Sequence, residues 1–249
     1  MRSWYQACLS QKSNLRFSLR KESSPHLTHK MNVILFGVNG AIGRSLLKEC
    51  LLDPDVSFVK TIGPTSIDIR DRKLIQFQNL DMWNYKHIKS ELKPFDVCIY
   101  CSGVSSLGMT EERYNHITYI QAVTVAAELA HLNPNMTFIY VSIAGADTSE
   151  TGRNMWARIK GKTENAILAM PFKAAFMIRP TRSQVFQSME TITLPSHLFK
   201  LLSKPMVHFF DYLFQKRRAT NEALGQNILR VAKLGAPKAI LEMGDIANL

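Results

Sequence analysis

Residues 36–44 read FGVNGAIGR, with glycines at 37, 40 and 43 placed directly after the apolar run NVILF. Glycine costs roughly 0.5–1 kcal/mol relative to alanine inside a helix or strand, so it collects where a turn or a close approach forbids a side chain. The flanks say which junction this is. In GAIGRSLLKECLL the apolar residues Ile42, Leu46, Leu47, Cys50 and Leu51 recur at helical spacing, and the pattern ends at Asp53-Pro54. A short buried strand therefore turns sharply into an amphipathic helix. Amide groups of the turn and the positive end of the helix then converge on one point, where an anionic group can approach only if Cβ atoms are absent. On this reading Gly37 permits the turn, Gly40 the approach, and Gly43 the close packing of helix on sheet.

The same alternation continues down the chain. VSFVKTIG, LIQFQNLD, FDVCIYCSG, MTFIYVSIAG and KAAFMIRP read as strands, with helices near 84–92, 111–132 (stopped by Asn133-Pro134) and 153–169. Strands that are continuous apolar runs, separated by helices, define a parallel sheet covered on both faces. The predicted class is α/β, a doubly wound parallel sheet of Rossmann type with a small C-terminal helical region on the substrate side. ATNEALGQNILRVAKLGAP closes the pattern as a helix with Thr220 as its N-cap, an apolar face of Leu224, Ile228, Leu229 and Val231, and Gly235 as its stop, followed by the strand-like KAILEMG.

Composition narrows the partners. A chain of 249 residues with 46% apolar content can bury a full core. The net charge of +11 is uneven: in residues 1–30, six basic residues (Arg2, Lys12, Arg16, Arg20, Lys21, Lys30) face Glu22 alone. That segment, basic and rich in serine, has the composition of an organelle transit peptide. A translated start upstream of the true one, with Met31 beginning the domain, explains it as well. Residues 31–249 form the predicted dinucleotide-binding domain, with 182–217 as a segment capping the pocket. No Lys/Arg stripe with interleaved aromatics points to nucleic acid. The four cysteines are scattered, Cys98 and Cys101 point to opposite faces of one strand, and the seven histidines show no ligand spacing, so neither disulfides nor a metal are expected. The most apolar stretch, 194–214, is interrupted by Lys200, Lys204, Pro205 and Asp211, so no transmembrane segment is expected. The expected location is cytoplasmic, or an organelle matrix if residues 1–30 are a transit peptide. The pattern does not separate a monomer from a homodimer.

The G-x-x-G-x-x-G turn, together with NLD, YCSGVSS, YVSIAGAD and a lysine on the following helix, resembles the extended and atypical short-chain dehydrogenases/reductases, also described as NAD-dependent epimerases/dehydratases. The resemblance runs from Asn32 to about Pro180. It implies that Gly37, Asn39, Gly40, Ala41, Ile42, Gly43 and Arg44 hold the pyrophosphate end of a nicotinamide dinucleotide, Asp81 and Met82 the adenine, and Cys101, Ser102 and Gly103 the ribose side. It also implies that Ser142 and Lys160 are catalytic, Lys160 doubling as a ligand of the nicotinamide ribose. The acidic residue by which NAD-binding members hold the ribose 2′-hydroxyl is missing after the second strand, where Gly63, Pro64 and Thr65 stand. Arg44, Arg70, Arg72 and Lys73 offer positive charge for a 2′-phosphate, so NADP is the expected cofactor, with NAD possible.

One departure bears on catalysis. The family's tyrosine, four residues before its lysine, is replaced by Trp156 in WARIK. An indole N–H donates a hydrogen bond but does not titrate, so it cannot relay a proton. Two functions follow: an NADP-dependent oxidoreductase of a small organic substrate, in which Ser142 or a water supplies the proton, or a catalytically weak or inactive dinucleotide-binding regulatory or assembly protein.

Overall fold

In the computed structural model residues 30–79, 86–181 and 221–248 are described. The apolar run after Met31 forms strand β1 (Met31–Phe36), and the glycine turn delivers the chain into helix α1 (Ala41–Leu52). Strands β2 (Val56–Gly63), β3 (Leu74–Gln78), β4 (Val97–Tyr100), β5 (Thr137–Val141), β6 (Ala174–Arg179) and β7 (Ile240–Glu242) complete a seven-stranded sheet in the order β3-β2-β1-β4-β5-β6-β7. Every neighbouring pair is parallel.

Alternate strand residues feed two cores. Val33, Leu35, Val59, Ile99, Ile139 and Ile178 pack with Ile42, Leu46 and Leu47 of α1 and with Leu224, Ile228 and Leu229 of the helix at 221–234 (α5). Ile34, Phe36, Cys98, Tyr100, Phe138 and Tyr140 pack on the other face with Ala122, Val125, Ala126 and Leu129, and with Ile167. The period of two in the strands thus sends each neighbour to a different helical layer, as a doubly wound sheet requires.

The helical run expected at 111–132 is one continuous rod in three parts, α2 (Glu111–Asn115), a wide π turn (His116–Ile120) and α3 (Gln121–Leu132). Thr110 caps its start by accepting from Arg113 N, and Asn133 ends it. The Asn133 amide also bridges Leu92 O and Phe95 N, which ties the rod to the entry of β4. Helix α4 (Met155–Leu168) follows β5, and the short α6 (Met243–Ala247) follows β7. Between 84 and 92 a kinked 3₁₀ turn, Lys86–Leu92, stands in place of the expected regular helix. β2 and β3 are joined by residues 64–73 without a helix; the Gln76 side chain pairs with the backbone of Ile67 and Ile69 and holds that crossing against the edge strand. The expected apolar face of α5 is buried, and Gly235 ends it at φ +73° with its N–H on Val231 O. Thr220, Asp81, Met82 and the segment 182–217 lie outside the described residues.

Candidate functional site

Strand order reverses between β1 and β4: the chain moves outward from β1 to β2 and β3, then returns to β4 on the other side. At such a switch point the two loops diverge and leave a crevice beyond the carboxyl ends of the strands. The glycine turn leaves β1 there, and Cys101-Ser102-Gly103 leaves β4 beside it. The two are tied together at one atom, since Phe36 O accepts both Cys101 N at 3.0 Å and Cys101 Sγ at 2.8 Å.

Each glycine answers to a different neighbour. Gly37 has φ +85°, and a Cβ on it would lie 2.5 Å from the Cys101 carbonyl carbon and closer still to Ser102 N. At Gly43 a Cβ would lie 2.9 Å from Val38 Cα and would overlap Gly37 O. The close packing expected of Gly43 is therefore against the turn itself, backbone on backbone, rather than against the sheet. Gly40 is different: the nearest atom to its Cβ position is Gly37 O at 3.6 Å. Among the described residues nothing requires glycine at 40, so the space in front of it is a cradle that a side chain would fill.

Gly40 is also the N-cap of α1, with no side chain capping it and no acidic residue in the first turn. The first amides of a helix have no partner within it, so those of Ala41, Ile42 and Gly43 point toward the cradle unneutralised. Asn39 donates from Nδ2 to Thr65 Oγ1 at 2.9 Å, linking the glycine turn to the loop after β2. Arg44 is exposed on the first turn of α1. Lys73 is not part of this group: its Nζ donates to Asp53 O at the opposite end of α1, at 2.6 Å, because the crossing 64–73 carries it to the start of β3. Of the basic residues offered for a 2′-phosphate, Arg44 is the one that the turn itself positions.

Farther along the same edge, the β5–β6 ladder continues through Ser142 N to Ile178 O, at 2.7 Å. Ser142 is 2% exposed and its Oγ has no hydrogen-bond partner among the described residues. A buried hydroxyl left unpaired costs about 1–3 kcal/mol, which a fold retains where a ligand or water completes the bond. Lys160, on α4, is buried and donates from Nζ to Tyr140 Oη at 2.9 Å, with Nζ 4.9 Å from the centre of that ring. Burial lowers its pKa below the ordinary lysine value, while Tyr114 of α2 and Glu164 one turn along α4 favour its charged form. Trp156, one turn before Lys160, is partly exposed; its Cη2 lies 3.4 Å from where a Cβ on Gly145 would be, so the indole covers the loop that leaves β5.

That loop is folded back on α4. Asp147 accepts from Ser149 N, Ser149 Oγ and Gly152 N, and Asp147 N donates to Ala157 O. A Cβ on Gly161 would overlap Asp147 O, so this glycine of WARIKG is the seat of the loop. Below Lys160 lies a polar cluster that the strand and helix patterns did not disclose. Glu164, fully buried, receives Arg179 Nε at 3.1 Å and Nη2 at 2.6 Å, and Arg179 Nη1 reaches Glu242 at 3.1 Å, joining α4, β6 and β7. Its only trace in sequence is a glutamate at a position of α4 where the helical period asks for an apolar residue.

The cysteines behave as small core residues. Cys98 is buried in one core and Cys101 borders the other; burial pushes Cys101 up to about 12, so it is a thiol at neutral pH. Among the described residues there is no group of histidine, cysteine and carboxylates fit for a metal, and no helix long and apolar enough to cross a membrane.

The order 3-2-1-4-5-6-7, with a glycine turn at the switch point, defines a Rossmann-type α/β fold. A short-chain dehydrogenase from Burkholderia cenocepacia, solved in complex with NADP, superposes with a TM-score of 0.61 at 14% identity, covering 88% of this chain and 90% of that one. The Bordetella bronchiseptica enzyme WbmF, in complex with NAD+, gives 0.59 at 12% identity over 86% and 73% of the two chains. In sequence, the mitochondrial protein fmp52 of Aspergillus clavatus is 26% identical over 159 residues, covering 60% of this chain and 65%, just under two thirds, of its own length. No family model matches the chain.

Proposed function

We propose that this chain is an NADP-dependent oxidoreductase acting on a small organic substrate that carries a reducible carbonyl or a related group. The observation that carries the reading is the open cradle at Gly40. A helix start with unneutralised amides faces a space that no described residue fills at the switch point of the sheet, which suits a pyrophosphate. In this reading Gly37, Asn39, Gly40, Ala41, Ile42 and Gly43 hold the pyrophosphate end. Arg44 and Thr65 face the 2′-phosphate, Cys101, Ser102 and Gly103 line the ribose side, and Asp81 and Met82 hold the adenine. A nicotinamide dinucleotide, when bound, supplies or accepts hydride. Ser142 and Lys160 flank the reacting group, and Ser142 Oγ, unpaired among the described residues, bonds a substrate oxygen. Residues 31–249 act as one domain.

Trp156 favours a second reading, a dinucleotide-binding protein that senses the cofactor with little turnover, because no titrating phenol stands one turn before Lys160. The mitochondrial name of the fungal relative supports an organelle address in residues 1–30 over an upstream start.

Titration with NADPH and NADH, followed by NADPH oxidation against a panel of carbonyl compounds, tests the reading. NADPH should bind more tightly, and Arg44→Ala should weaken NADPH about tenfold while leaving NADH unchanged. Equal affinity of the wild-type protein for both cofactors refutes the NADP assignment. Binding without oxidation of any carbonyl selects the sensor.

A further inference from the structure

Lys160 does not stand free at the edge of the site. Its ammonium donates to the hydroxyl of Tyr140, a fully buried residue of β5 whose ring is stacked 5.9 Å from that of Tyr100. Tyr140 and Ser142 lie two apart on a continuous ladder and so face the same side of the sheet. The direction of the hydrogen bonds matters here. An ammonium has donors and no acceptor, so Tyr140 can only accept from Lys160. Tyr140 is itself fully buried, and its phenol is held neutral, burial pushing its pKa upward.

We infer that Lys160 is itself the proton donor to the substrate, and that Tyr140 is the positioning residue that aims its ammonium. The inference rests on the oxidoreductase reading above. With a reduced nicotinamide dinucleotide as the hydride source, the carbonyl carbon gains a C–H bond and the π electron pair moves to oxygen. A Lys160 N–H bond breaks as the new O–H bond forms, and the neutral amine regains its proton from water. Burial lowers the Lys160 pKa, which makes the ammonium a stronger acid than an exposed lysine. Among the described residues, the groups facing it are Tyr140 from β5, Tyr114 from α2 and Glu164 from its own helix. The charge of Glu164 is taken up by Arg179 of β6.

A lysine acid works only while protonated, so the rate should fall as pH rises through the Lys160 midpoint. Tyr140→Phe keeps the ring in its stack and removes the acceptor that stabilises the ammonium. The midpoint, and with it the basic limb of the kcat profile, should then move to lower pH by about one unit. The readout independent of turnover is NMR of protein labelled with 13C at the lysine ε carbons. One resonance, absent from Lys160→Arg, should titrate below the remaining lysines in the wild type and lower again in Tyr140→Phe. NADPH affinity of Tyr140→Phe should stay within about threefold, and Lys160→Arg, whose side chain does not release a proton, should lose about 100-fold or more in kcat. NADPH binding together with an unmoved Lys160 midpoint in Tyr140→Phe, or with full activity of Lys160→Arg, overturns the proton role alone. Failure of the wild-type protein to bind NADPH overturns the reading of the whole site, and the proton role with it.

Discussion

Replacing the glycines of the first turn one at a time should separate stability from binding. At Gly43 an alanine Cβ meets Gly37 O and lies 2.9 Å from both the Gly37 carbonyl carbon and Val38 Cα. All three are backbone atoms that cannot swing aside, so overpacking near the upper end of the usual ~1–3 kcal/mol is expected. Exchanging glycine for alanine in a helix returns up to ~1 kcal/mol. The net loss of ~2 kcal/mol corresponds to a Tm lower by roughly 4–8 °C for a domain of this size. Gly37→Ala adds the left-handed φ, a further ~1–2 kcal/mol, and should fall more. Gly40→Asp should do the opposite. Its Cβ position is open, aspartate is a good N-cap, and its charge suits the start of a helix that has no acid in its first turn. Tm should hold or rise by a degree or two. The same carboxylate facing a pyrophosphate charge at about 4 Å costs ~4 kcal/mol at an effective dielectric constant of 20, about three decades in Kd. Differential scanning fluorimetry and nucleotide titration by calorimetry measure both quantities on the same samples. A Gly40→Asp protein that binds NADPH as the wild type does would remove the anion site, and an unchanged Tm for Gly43→Ala would refute the tight packing of the turn.

Trp156→Tyr should keep NADPH affinity within a few-fold and gain ketone reductase activity, because a titrating phenol one turn from Lys160 supplies general acid help usually worth ~10² to 10⁴ in rate; no gain in NADPH oxidation with a ketone that enters the pocket would show that position 156 does not face the reacting group. Arg179→Met should destabilise by about 3–5 kcal/mol, since it leaves the fully buried Glu164 carboxylate unpaired. The double variant Arg179→Met with Glu164→Met should recover a large part of that loss. A single variant as stable in urea as the wild type would mean that the pair contributes nothing.

The glycine turn, the five strands after the first helix and the C-terminal helix with its Gly235 stop were legible in sequence because each is a local rule. Strand and helix periods, the breaker residues and the conformational freedom of glycine act within a few positions of one another. The open Gly40 cradle was foreseeable on the same ground, since a helix start after a buried strand presents its amides wherever the strand ends. Ser142 and Lys160 were singled out by their order along the chain, as the family resemblance implies.

What the tertiary structure alone decided are contacts between residues far apart in sequence. That Gly43 packs on the Gly37 carbonyl, and that Lys73 is carried to the far end of α1, depend on how the turn closes and where the helix-free crossing 64–73 lands. The inward hydrogen bond of Lys160 and the Glu164–Arg179–Glu242 chain depend on which strand α4 lies over. A lysine and a glutamate on a helix read as solvent-facing by default, because burying charge is costly. Only the packing of α4 on β5 and β6 brings the tyrosine and the arginine that make their burial possible.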